Sequence, residues 1–296
     1  GRLIDRFRDR VTFPITNTDG NILGFVARRN PSYGDDDGHG PKYLNTAETA
    51  LYHKGDELFI AGRLSPESTP VLTEGPFDAI AVTLAAGASH VGLAALGTSL
   101  TRRQAMTIHS VSQQPIVATD ADGAGRVAAE RDYWLLSTYG LDPRVALLPE
   151  GSDPADLLAR NQAESLARTV QSAGVLGDHL IEERLGQVSS DSALEATEIV
   201  AAQPAERWNA GVEHIAERSG IPSSLLRAAL VDMVRAWNAD ASNCAEHQFA
   251  RTSARNRPSA TQSRMGRDFD PSSDRRPVDS RRRNGHRAEH PSNIRR

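Results

Sequence analysis

A single cysteine, Cys244, stands in 296 residues, and one thiol closes no internal disulfide and builds no cysteine-rich zinc site. That composition suits a reducing compartment, and a cytoplasmic protein is expected. No apolar run approaches the ~20 residues of a membrane helix, so no membrane association is expected. A secretory leader is also missing, and the chain opens at Gly1 rather than Met, which reads as a fragment. Neither a G-x-G-x-x-G dinucleotide fingerprint nor a G-x-x-x-x-G-K-[ST] phosphate loop occurs, which sets aside dinucleotide enzymes and P-loop motors. Lysine is nearly absent as well: of 34 basic residues only Lys42 and Lys54 are lysine. A chain that otherwise writes its cations as arginine has kept a compact, movable ammonium at two places, and the two side chains differ at a charged reaction centre.

What is present centres on residues 71 to 125. Twice an acidic residue follows a short apolar run: Val71-Leu72-Thr73-Glu74-Gly75, then Ile116-Val117-Ala118-Thr119-Asp120-Ala121-Asp122-Gly123. Both read as strand, turn, helix. In an open parallel sheet, ligands collect beyond the carboxyl ends of the strands, so Glu74, Asp120 and Asp122 are expected at one rim. Asp78 lies about one helical turn past Glu74 and can lean over the same spot. Carboxylates crowded together repel unless a cation offsets them, and Mg²⁺, with Mn²⁺ as its substitute, is the expected partner. Such an ion points to phosphoryl or nucleotidyl chemistry. Each piece alone also fits an ordinary helix-start acid or polar turn; the pair, in strand-helix register, favours a site.

At 39% apolar and 24% charged residues, the chain is expected to be globular with one or two domains. Residues 1 to 65 carry Arg6, Arg8, Arg10, Arg28 and Arg29 besides the two lysines, on an expected small α+β unit with a hairpin at Asp19-Gly20. Such a cluster suits a nucleic-acid backbone or a solvated face. Residues 66 to 150 alternate strand (71 to 74, 90 to 96, 115 to 119, 143 to 148) with helix (76 to 86, 101 to 111, 124 to 138), a doubly wound α/β pattern. Gly75, Gly97, Gly123 and Gly125 follow the strand ends, for a close backbone approach or a positive φ. Asp153 adds a carboxylate at the rim, and serves equally well as the N-cap of a helix starting at Pro154. Residues 151 to 241 read as helical, with Trp208 and Trp237 as packing residues. From Ser242 the composition turns to Arg, Ser, Asn and Pro. Residues 242 to 296 hold 13 arginines against six acids, and are expected to be a disordered basic tail.

These residues resemble the catalytic core of bacterial DnaG-type DNA primases, whose α/β unit is the TOPRIM fold. The likeness runs from Asp5 to about Leu158. It rests on Arg6-Phe7-Arg8-Asp9-Arg10-Val11 with Phe13-Pro14-Ile15, on Pro41-Lys42-Tyr43-Leu44-Asn45, and on His53-Lys54-Gly55. Further blocks are Glu74-Gly75 with Asp78, Leu96-Gly97-Thr98-Ser99-Leu100-Thr101, and Asp120-Ala121-Asp122-Gly123-Ala124-Gly125. The resemblance implies a TOPRIM sheet with an N-terminal basic subdomain and a C-terminal helical one. It implies that Glu74, Asp78, Asp120, Asp122 and Asp153 hold metal, that Lys42, Lys54 and Glu74 are catalytic, and that the N-terminal arginines hold nucleic acid. Implied partners are single-stranded DNA, ribonucleoside triphosphates and a replicative helicase. The family's E-G-Y-M-D reads Glu74-Gly75-Pro76-Phe77-Asp78 here, and its D-P-D reads Asp153-Pro154-Ala155, with Asp156 as a substitute acid one residue late. The zinc-binding domain that precedes the family's core does not occur in this sequence. Two other readings use the same residues: a TOPRIM nuclease, in which the acids activate water, and a non-catalytic nucleic-acid-binding module of a mobile element.

Overall fold

The computed structural model describes residues 4–33, 38, 40–186 and 189–255. Strands β1 (Arg10–Thr16) and β2 (Ile22–Arg29) form the hairpin expected at Asp19-Gly20, where Gly20 takes φ +86°. That left-handed turn suits glycine. β3 (Tyr43–Asn45) pairs antiparallel with β2 and completes a three-stranded sheet. No helix occurs among the described residues before position 65, so this part is strand and turn where α+β was expected. Its last strand, β4 (Leu58–Ile60), lies outside the small sheet and pairs antiparallel with residues 93–95 of the central one.

The central layer follows the expected alternation closely: β5 (Thr69–Thr73), α1 (Pro76–Ala86), β6 (His90–Ala95), α2 (Arg102–His109), β7 (Ile116–Val117), α3 (Gly123–Ser137) and β8 (Arg144–Val145). β5 ends where Glu74 interrupts its apolar run, whereas β7 and β8 end at Val117 and Val145, before theirs are exhausted. After them come α4 (Pro154–Ala159), α5 (Ala163–Gln171), β9 (Gly174–Val175), α6 (Leu176–Leu185), α7 (Ser190–Ala202), α8 (Ala205–Ser219), α9 (Ser223–Ala239) and α10 (Ala241–Arg255). The six-stranded sheet runs β4-β6-β5-β7-β8-β9, with β6, β5, β7 and β8 parallel and the two edge strands antiparallel.

Side chains alternate across each strand, so neighbours enter different cores. Val71 and Ile116 join a cluster with Leu157, Leu166 and Val170 of α4 and α5. Leu72 and Val117 face the other way, toward Tyr133, Ile199 and Leu226, in a core that runs through the C-terminal helices. Covered on both faces, the strands read as continuous apolar runs. A third cluster, including Ile15, Val26, Phe59 and Ala94, joins the small sheet to the central one.

The structure corrects the C-terminal expectation. Residues 241–255 form α10, where disorder was expected from Ser242 onward. Ala245 is buried in the main core, and Arg251 pairs with both Glu195 and Glu198 of α7 at 2.7 Å. Thr252 donates to the buried Glu130 of α3, which also accepts from Trp134 Nε1 and Arg184. Ion pairs and one hydroxyl do what apolar content does elsewhere, so composition gave no sign of the helix. Residues 256–296 of the expected tail lie outside the described residues. Among the described residues no helix is long and apolar enough to cross a membrane.

Candidate active site

The connection from β5 to β6 leaves on one side, and that from β6 to β7 returns on the other side of β5. The crevice opened by this reversal lies beyond the carboxyl ends of β5 and β7, the place where open α/β sheets receive ligands. Glu74 and Asp120 stand on its two banks. Glu74 Oε1 accepts from the backbone N–H of Asp120 at 3.1 Å, which clasps the banks together. The turn after β7 is locked from within: Asp122 Oδ1 accepts from Gly125 N–H at 2.7 Å and caps α3, while the Thr119 hydroxyl donates to the Gly125 carbonyl at 3.0 Å. A Cβ on Gly125 would lie 2.0 Å from the Asp120 carbonyl oxygen, so only glycine lets the helix start so close. Of the glycines expected past strand ends, none takes a positive φ; close approach is the reason at Gly125.

The remaining acids arrive from α1 and α4. Asp78, in the first turn of α1, accepts from Ala155 N–H through Oδ1 at 3.2 Å. Asp153 caps α4 by accepting from Asp156 N–H at 2.6 Å through Oδ1. Asp156 is exposed and pairs with Arg160 at 3.0 Å, one helical turn on, as a surface ion pair. Burial pushes the Asp120 carboxyl up to about 7, with Glu74, Asp78, Asp153 and Asp122 adding to the shift in that order. Burial and then Asp153 push Asp78 up to about 6; Glu74 adds to this, while the Ala155 N–H and the Lys42 ammonium oppose it.

These five carboxyls therefore share one field. Among the described residues, no three acids, histidines or cysteines lie close enough to form one ligand sphere as they stand. The two findings are compatible, because repulsion acts over several ångströms whereas Mg²⁺ binds oxygens at ~2.0–2.1 Å. The donor set fits a hard divalent ion: it is all oxygen, mutually repelling, and placed at a solvent rim where waters and a substrate phosphate can complete the shell.

The cations lie on the N-terminal side. Lys42 is exposed, its Nζ 5.9 Å from the Tyr43 ring centroid. Lys54 is exposed on the loop before β4. The backbone there is held by Gln104, whose side-chain amide donates to the Lys54 and Glu57 carbonyls while its Oε1 completes the capping box of α2. The Thr101-x-x-Gln104 spacing is a capping-box signature, but nothing in the sequence marked Gln104 to hold the Lys54 loop. Arg28 stacks 4.4 Å from the Phe77 ring centroid and donates to the Tyr43 hydroxyl at 3.2 Å. Arg6 donates to the Asn45 carbonyl and Arg10 to those of Pro41 and Lys42, so both fasten the segment carrying Lys42. Arg8 is exposed, with no hydrogen bond or ion pair among the described residues. Arg29 departs from the expectation of a nucleic-acid contact: it is 8% exposed and donates to the Gly40 carbonyl at 2.7 Å, which makes it a brace for the loop.

Residues 1–64 match the family model "DNA primase catalytic core, N-terminal domain", and residues 71–158 match "Toprim-like". DNA primase of Halalkalibacterium halodurans is 40% identical over 174 residues, covering 57% of this chain and 28% of that protein. DNA primase of Escherichia coli K12 is 33% identical over 195 residues, covering 64% and 32%. The chain spans about a third of the length of these curated relatives. Among solved structures, the Aquifex aeolicus primase (zinc-binding and RNA polymerase domains) aligns with TM-score 0.62 at 28% identity, over 75% of this chain and 55% of that one. A DnaG primase catalytic domain bound to single-stranded DNA gives the same score and identity, over 75% and 72%.

Proposed function

The chain belongs to the family of DnaG-type DNA primase catalytic cores, and from that premise we propose that it carries the nucleotidyl-transfer centre for synthesis of short RNA primers on single-stranded DNA. The observation that supports this most is the field shared by Glu74, Asp78, Asp120, Asp122 and Asp153 at the sheet's switch point, where Asp120 is pushed up to about 7. Mg²⁺ or Mn²⁺ ions held there would offset that charge and stabilise the oxygens that attack and leave.

The chain's own residues have distinct tasks in this reading. Glu74 keeps Oε2 for the proton of a primer 3'-hydroxyl while Oε1 fixes the Asp120 turn. Lys42 and Lys54, exposed and without an acid partner among the described residues, face the charge of an incoming ribonucleoside triphosphate. Arg8 and Arg28 meet the template's phosphates, while Arg6, Arg10 and Arg29 hold the backbone that carries them. A replicative helicase would deliver the template, in the cytoplasm.

One assay separates this reading from its rivals: the purified chain with single-stranded DNA, labelled ribonucleotides and Mg²⁺. Short RNA is expected, and Asp120→Asn or Asp122→Asn should lower it by at least ~10²-fold, the scale on which removal of one transition-state stabiliser is felt. Cut DNA in its place would make the chain a nuclease. Binding with no product would make it a nucleic-acid-binding module.

A further inference from the structure

Beside the crevice lies a cavity of about 310 Å³, bounded by Glu74, Thr98, Ser99, Thr119, Arg131 and Asp132. It takes roughly ten waters, room for one sugar ring. Asp132, on α3, is 5% exposed, and its Oδ1 is fully enclosed without a hydrogen-bond partner. Arg131 Nε, likewise enclosed and without one, is 3.5 Å from that oxygen, beyond good hydrogen-bond geometry. A buried carboxyl left this short of donors is uncommon and asks for a reason. Burial first, and then Glu74, push its affinity for a proton up, while Arg131 opposes them.

The lining selects among ligands. Two carboxyls against one guanidinium repel a phosphate. A base is not favoured either, because no aromatic ring lines the wall to stack on it. A hydroxylated sugar fits, since its O–H can donate to Asp132 Oδ2, the oxygen of that carboxyl that is not enclosed, as ribose does to acids in other nucleotide-binding folds. Glu74, at the cavity mouth, is the group to which the primer 3'-hydroxyl is assigned above.

We propose that this cavity seats the sugar of the primer's 3'-terminal nucleotide and that Asp132 reads its 2'-hydroxyl, so that a ribose terminus is extended in preference to a deoxyribose one. This rests on the primer-synthesis reading. Asp132 is then a specificity residue outside the five acids of the rim.

The test is extension of short primers, annealed to a single-stranded DNA template, that end in ribose, 2'-deoxyribose or 2'-O-methylribose. A site built to bond a hydroxyl discriminates strongly against its absence, so wild type should favour ribose by roughly ten- to hundredfold in kcat/KM over both other termini. In Asp132→Asn that ratio should fall toward one, with a thermal midpoint no lower than that of wild type. Equal extension of the three termini by wild type, or a ratio unchanged in Asp132→Asn, overturns the assignment while leaving primer synthesis intact. No extension of any primer by wild type overturns the primer-synthesis reading, and this inference with it. If Asp132→Asn does not fold, the wild-type comparison of the three termini decides alone.

Discussion

Asp132 ties its surroundings to pH in a way that can be measured apart from catalysis. Its carboxyl, ordinarily near 3.8, is raised to about 6 in the folded protein. The neutral acid is thus the form the fold prefers, and the associated stability is full below the unfolded value and lost as pH rises through the folded one. The loss above about pH 6 is on the order of 2 to 3 kcal/mol. Asp132→Asn should therefore be more stable than wild type by about that amount in urea unfolding near pH 8, and match it within ~0.5 kcal/mol near pH 4. A difference that does not vary with pH would show that burial does not strain this carboxyl. Residues such as Glu74 and Asp120 were legible in sequence because each punctuates an apolar run at a strand end. Asp132 was not, because α3 is covered on several sides: Glu130, Asp132, Tyr133, Trp134 and Leu136 are all buried, so the charged residues of this helix do not mark its solvent face. Arg29 misled for the opposite reason, since an arginine at the end of a strand looks like a solvent-facing cation until the loop carbonyl it holds is seen.

At the level of elements, the central alternation was readable to within a few residues, because β5, β7 and α1 begin and end at glycine, proline and acid signals. α10 was not readable, because apart from Ala245 in the main core its hold on the body is made largely by polar groups. Arg251, Glu195, Glu198, Arg184, Glu130 and Thr252 form a connected network among α10, α7, α6 and α3. Removing one partner leaves half-buried charges uncompensated, so Arg251→Ala should cost about 1 to 2 kcal/mol. A chain ending at Asp240 should melt roughly 5 to 15 °C below one ending at Asn256, because it also uncovers the Trp134 and Trp237 surface. Equal melting temperatures for those two chains would show that α10 contributes nothing to the body.

Across the whole molecule, the expected boundaries at 65 and 150 do not separate independent cores. β4 comes from the N-terminal part and forms an edge of the central sheet, and the main core runs from Leu72 and Val117 to Leu226 and Leu230. Sequence alone could not show this, since strand pairing links β4 across an expected domain boundary and shared burial joins residues more than a hundred positions apart. The same convergence builds the site: Glu74 and Asp78 come from the β5–α1 turn, Asp120 and Asp122 from the β7–α3 turn, and Asp153 from the start of α4. The central claim is that these acids act together as a divalent-cation site. Mn²⁺ titration of wild type and Asp120→Asn, followed by electron paramagnetic resonance and calorimetry, tests it without any turnover. Wild type should bind about two Mn²⁺ per chain, as a two-metal nucleotidyl-transfer centre requires, and Asp120→Asn should bind fewer or more weakly with its circular dichroism unchanged. No saturable binding by wild type, or the same stoichiometry and affinity in Asp120→Asn, would contradict it.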